Sequence, residues 1–417
     1  WLTGFGWNQT LWNDMKTKFP SARDLDSVSD DIPTFLERVD AHAAWVNSSA
    51  LHLAGITATT PDPEGGSIER DNKGNPTGIL IDSAMGLVAR LLKQEGSAIR
   101  MKSIVEGLNA LKKCGFTAVS DMAVDEEGLK IFRELDKRGE LPLRVFAYLT
   151  GDGQWEVNHW DERDSETGMF HLAGLKLFMD GALGSRGARL YEPYSDDPGN
   201  RGLFVISEEK AREIALKAAQ RGKSIAIHAI GDEACHTALS VFESILPFKT
   251  KETVLRLEHC QIMRPEDAAK LGKLGIIASI QPIHLADDQS WTPSRLGVDR
   301  LMTEAFPWRT FVENGAVLAF GSDAPVSDAN PFLCMSAAET RQDKHDLPSH
   351  GLGNPRHCLG RQESLTAYTQ GNAIAAGMYP KLGNLQPGSF ADLSLIEDSQ
   401  SLLDITPQEL RKLSVIL

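Results

Sequence analysis

The chain has 417 residues, 41% of them hydrophobic and 24% charged, which is enough apolar material for one large domain with smaller attachments. A net charge of -14 excludes a nucleic-acid footprint, because a phosphate-binding surface needs clustered Lys and Arg. Five cysteines without CxxC spacing exclude a disulfide framework and a zinc knuckle, and no apolar run reaches the roughly 18 to 20 residues of a membrane span. A cytoplasmic protein that avoids membranes is expected, although a chain that begins at Trp1 leaves room for a lost leader.

Taken in chain order, residues 1–96 are rich in Trp, Asp, Pro and Gly, with turns at 61–66 and 72–78, and predict an accessory insertion. From residue 97 the pattern alternates helix and strand. A helix over Ser97 to Lys113 ends at Gly115, a strand runs from Phe116 to Met122, and a second helix, Asp125 to Arg138, stops at Gly139. Further strands are expected at 143–149, 174–179, 224–229, 255–260, 276–281 and 317–321. Helices between them include 208–221, opened by Ser207, and 265–274, with Pro265 in its first turn. The alternation predicts an α/β fold, a TIM-like (β/α)8 barrel over 97–360 that lacks its first strand. Residues 361–417 predict a helix from Ser364 and then a turn and strand within Gly383 to Glu397, part of a β-sandwich.

Functional side chains of such a barrel project from the C-terminal ends of its strands. In GLKLFMDG, Leu175, Leu177 and Met179 share the helix-facing side, which turns Lys176, Phe178 and Asp180 inward. SIAIHAIGD brings His228 to a strand end, RLEHC brings His259, and VLAFGSDAP places Asp323 just past its strand. Each residue alone has a structural explanation: a hydrogen-bonded histidine, a lysine paired with Asp180 or Asp121, an aspartate capping a turn. Together, two imidazoles, a carboxylate and an inward lysine suit zinc or a similar divalent ion, which would yield a metal-activated water at neutral pH. GALGSRG is not GxGxxG, and its glycines read as turn residues.

These strand-end residues, in this order, resemble the amidohydrolase superfamily. The motifs KLFMDGALGSRGA, HAIGD, RLEHCQI, SIQPIHLADDQSW and AFGSDAPV are similar to its amidohydrolase 3 branch, which contains the N-substituted formamide deformylases. The resemblance implies a hydrolase of non-peptide carbon-nitrogen bonds acting on a small amide-type substrate, with two divalent ions, zinc above all. Lys176 would be a carbamate bridging the ions, His228 and His259 ligands, and Asp323 both ligand and general base. His284, Asp287, Arg186, His42 and Asp180 are expected around the substrate, and a homodimer is compatible with the pattern.

The family pattern also has a His-x-His pair on the first barrel strand, and none of the 11 histidines forms one. Loss of the segment carrying that strand is the simpler expectation. The rival, that VDAHAA around His42 is itself the first strand, would need a loop of about 50 residues, far longer than loops normally run. A metal-poor barrel that binds or regulates is the alternative function if the pair never existed.

Overall fold

A computed structural model of the chain describes residues 1–13, 18–29, 31–93, 95–151, 156–160, 168–396 and 401–416. The first part of the chain is a five-stranded sheet of β1 (Leu2–Trp7), β2 (Thr34–Arg38), β3 (Ala43–Val46), β4 (Gly66–Arg70) and β5 (Pro76–Asp82), ordered β1-β2-β3-β5-β4. Composition gives an accessory insertion here without showing its strands. The strands are short and the turn residues lie between them, so composition hides them. Ala44, Val46, Ile68 and Leu80 bury one face against Leu51 and Val88. β3 pairs antiparallel with β2 and with β5, so the segment after His42 belongs to this sheet and is no barrel strand.

The second sheet contains β6 (Ala118–Val124), β7 (Arg144–Thr150), β8 (Phe170–Phe178), β9 (Ser224–Ala229), β10 (Leu255–His259), β11 (Ile277–Ile280) and β12 (Leu318–Phe320). All seven are parallel and sit in chain order, with β6 and β12 at the edges. The sheet curls into an open half-barrel. Arg256 on β10 shows the curvature, because its guanidinium crosses the concave face to the Ser120 hydroxyl on β6, 3.2 Å away.

Alternation along the strands decides which side chains meet the helices. Leu175, Leu177, Met179, Ile225, Ile227, Leu255, Leu257, Ala278 and Ile280 all join one buried apolar cluster with the surrounding helices. At roughly 1.5–3 kcal/mol for each large apolar side chain buried, this outer face holds the sheet to its helices.

The inner face is polar in the middle and apolar at the bottom. Arg256 donates twice to Glu258, at 2.8 and 3.3 Å, and once to Ser279, with Tyr148 beneath the guanidinium. A buried ion pair of this kind is weak evidence for stability, because desolvation offsets its attraction. Below it, Phe146 packs on Ala373 and Leu382, and Ile277 and Ala319 pack on Ala375. The short helix Asn372–Ala375 thus closes the lower end, and Asn372 donates to the Phe320 carbonyl on edge strand β12 at 2.9 Å.

In the C-terminal part, helix Arg361–Thr366 and a π-turn at Ala367–Gly371 lead into this plug. Of the strand expected within 383–397, only Leu395–Ile396 forms, as β13, paired with β14 (Val415–Ile416); residue 397 lies outside the described residues. No helix among the described residues is long and apolar enough to cross a membrane.

Candidate active site

Lys176, on β8, is 3% exposed, and among the described residues its ammonium forms no hydrogen bond or ion pair; its nearest recorded partner is the Phe178 ring at 4.9 Å. Burial pushes its pKa down, Glu258 and Asp323 oppose this, and Arg256 adds to it, leaving the amine below its ordinary value.

His228 ends β9 and is 2% exposed. Its Nε2 lies 3.3 Å from the Gly181 carbonyl. A carbonyl can only accept, so Nε2 carries the proton and Nδ1 keeps a free lone pair. His259 is pinned the opposite way, its Nδ1–H donating to Gln281 Oε1 at 2.8 Å, which leaves Nε2 free. The two rings are 4.5 Å apart. Burial holds both pKa values down, His228 well below the imidazole range and His259 to about 4, so both are neutral at pH 7, the form that binds metals.

His259 reaches the rim against the alternation of its strand. Arg256 and Glu258 point inward, which would send His259 outward. A φ of +78° at His259, followed by +48° at Cys260, swings it back. Asp323 likewise has φ +55°. Non-glycine residues at positive φ are strained, and such strain collects at functional sites. Asp323 faces the open side of the rim. Desolvation by the rim raises its pKa, but His259, His284, Lys176 and His42 outweigh this and hold its carboxyl below the usual range.

Two further histidines extend the row. His284 stacks on His259 at 6.0 Å, and Gln261 Nε2 lies 3.4 Å from its Nδ1. Its Nε2 therefore carries the proton, and among the described residues this buried donor has no partner. At the other end His42, just before β3, lies 4.8 Å from His228 and donates from Nδ1 to Asp82 Oδ1 at 2.6 Å. Burial alone would lower the His42 pKa; Asp82, Asp40 and Asp180 outweigh it and raise the pKa to about 9.

The remaining expected residues lie around the row, each held by other partners. Asp180 is fully buried, and its carboxylate accepts from the backbone amides of Arg189, Ile230 and Gly231 at 2.8, 3.0 and 2.9 Å. That carboxylate clamps two loops together, and its Oδ1 lies 3.5 Å from His228 Nε2, behind the rim. Arg186 pairs with Asp196 at 3.0 Å, and Arg295 shares the same carboxylate. Asp287 is exposed and accepts from Ser327 at 2.6 Å. Sequence reasoning missed Asp82, which stands in no recognisable motif, and Gln261 and Gln281, which lie inside RLEHCQI and SIQPIHLADDQSW without being singled out. For Gln281 a signal was present, since it continues the inward phase of β11 beyond Ser279.

The residues present fit a divalent ion. An unpaired buried lysine and two neutral imidazoles, each with one nitrogen tied to an oxygen acceptor and the other free, stand together at the rim. Oxygen acceptors behind a ligating imidazole fix its tautomer and orientation. Among the described residues no three His, Cys, Asp or Glu side chains form a metal-holding group by themselves.

An open parallel sheet with ligand-type residues on its C-terminal rim defines the class of metal-dependent hydrolases built on half or whole barrels. The comparisons with known proteins are specific: the amidohydrolase family profile matches residues 1–417, and the chain belongs to that family. It is 32% identical to amidohydrolase YtcJ of Bacillus subtilis, covering 100% of this chain and 78% of the relative. It is 26% identical to the N-substituted formamide deformylase of Arthrobacter pascens, over 100% of this chain and 77% of the relative. Among solved structures, an uncharacterized metal-dependent hydrolase from Pyrococcus horikoshii matches with TM-score 0.75 and 29% identity, over 97% of this chain and 78% of that one.

Proposed function

We propose that the protein hydrolyses carbon-nitrogen bonds of small amide-type substrates, using divalent ions, zinc first, held by Lys176, His228, His259 and Asp323. The observation that carries this is the pair of neutral imidazoles with opposite nitrogens free beside an unpaired buried lysine. A divalent ion bound there supplies a nucleophile at neutral pH and polarises the carbonyl under attack.

The chain's own residues have separable roles. Lys176, with its depressed pKa, has the neutral amine needed to add carbon dioxide; a carbamate forms, a proton leaves, and an oxygen ligand replaces a nitrogen one. Asp323, its carboxyl held below the usual range, takes a proton from the attacking water and returns it to the departing nitrogen. His284 offers its unpaired Nε2–H to the acyl oxygen, a donor fixed in place before the substrate arrives. The amide assignment follows the deformylase relative, whose name specifies an N-substituted formamide. The match to the amidohydrolase family and to a metal-dependent hydrolase favours this reading over a binding protein.

The test is release of aniline from formanilide and acetanilide by the full-length gene product, stripped of metal and then reloaded with zinc. Turnover that appears only after reloading is expected. Turnover unaffected by stripping, or none in the zinc-loaded protein, would contradict the reading.

A further inference from the structure

Asp82 ends β5 in the inserted sheet, yet its side chain is only 3% exposed because it is pressed into the loop that follows β8. Oδ1 accepts from His42, and Oδ2 is buried with no hydrogen-bond partner among the described residues. A buried carboxylate oxygen without a partner forfeits its hydration with nothing in return. Asp82 also adopts φ +49°, a region that disfavours a side chain.

The glycines of GALGSRG explain how the carboxylate fits. A methyl group on Gly181 would lie 2.3 Å from Asp82 Oδ2, and one on Gly187 would lie 2.6 Å from it. Gly184 makes the same kind of room for the Arg38 guanidinium, also from the inserted sheet, 2.7 Å from where a methyl would stand. Gly181 in addition supplies the carbonyl that fixes His228. One loop therefore meets the inserted carboxylate with its bare Cα atoms and the rim imidazole with its oxygen.

We infer that Asp82 is a positioning residue: it locks the His42 ring through Nδ1, so that Nε2 meets substrate lying over His228 and His259, and Gly181 and Gly187 are glycine to admit it. His42 and His284 sit at opposite ends of the histidine row. With His284 on the acyl oxygen, His42 meets the departing nitrogen: with Nδ1–H held by Asp82, its Nε2 lone pair accepts from the N–H of that nitrogen, a bond that strengthens as Asp323 delivers the proton to the nitrogen's own lone pair. The substrate half of this inference rests on the amide reading; the lock itself does not.

Two readouts on the zinc-loaded full-length gene product test it. Nuclear magnetic resonance of ¹⁵N-histidine-labelled protein should show a slowly exchanging Nδ1–H signal from His42. Asp82→Ala should abolish it while the His228 and His259 signals persist; Asp82→Asn, which weakens the same bond, serves if the alanine variant fails to fold. An unchanged His42 signal in a folded Asp82 variant overturns the lock.

The second readout compares formanilide with 4-nitroformanilide, whose amine leaves more easily. Asp82→Ala and His42→Ala should each lower kcat for formanilide by about 10- to 100-fold. For the nitro compound the loss should be smaller, and the double variant should fall no further than His42→Ala. Equal losses on both anilides, or losses that multiply in the double variant, overturn the positioning role. If the wild-type protein turns over neither anilide but the His42 signal behaves as described, the amide reading fails and the lock is supported.

Discussion

The two ends of the curled sheet obey opposite rules. At the lower end Phe146, Ile277 and Ala319 meet Ala373, Ala375 and Leu382, and apolar surface is matched with apolar surface. At the upper rim His259, Cys260 and Asp323 hold positive φ, and among the described residues the Lys176 ammonium has no hydrogen bond or ion pair and His284 keeps an unpaired donor. The lower end maximises stability. The rim retains strain and unsatisfied polar groups that folding alone would remove, which is where function is to be sought.

If that division is right, substitutions at the two ends must separate stability from ion binding. Phe146→Ala removes the ring that seals the plug and should cost about 3–5 kcal/mol of unfolding free energy, measured in denaturant, with ion affinity unchanged. A parallel loss of affinity would break the comparison. At the rim, His259→Ala should weaken zinc binding by more than about 100-fold, read by competition with a chelating dye, since loss of a ligand exceeds the 10- to 100-fold typical of its outer partners. Gln281→Ala should fall inside that smaller range, because it leaves the imidazole in place but frees its tautomer.

A smaller effect sharpens the comparison from a third place. His357 is buried far from the rim, and burial with Arg341, Arg356 and Arg309 lowers its pKa to about 4. Its folded pKa lies below the unfolded value near 6.5, so the unfolded chain binds the proton more readily. Stability should therefore be intact above about pH 6.5 and fall toward pH 4, by on the order of 2 kcal/mol from this residue. His357→Gln should flatten that slope in urea titrations, and an unchanged slope would remove His357 from the account.

How much was legible in the sequence follows the same division. The outer face of the half-barrel could be read from alternation, as in Leu175, Leu177 and Met179, because apolar burial has a period. Lys176 could be read as its inward counterpart. His259 could not be placed by phase, since backbone strain and not alternation turns it toward His228. The five-stranded sheet was hidden because β1 is exposed on both faces and carries no alternating signal. Asp82 was beyond reach, since its partners His42, Gly181 and Gly187 lie on other elements and no local pattern links them.

The central claim is that Lys176, His228, His259 and Asp323 hold divalent ions at the rim. Anomalous diffraction at the zinc edge from crystals of the full-length gene product grown with zinc addresses it most directly. The account predicts anomalous density at the rim, within ligand distance of His228 Nδ1 and His259 Nε2. Density elsewhere on the molecule only, or none at the rim with zinc in excess, would contradict it.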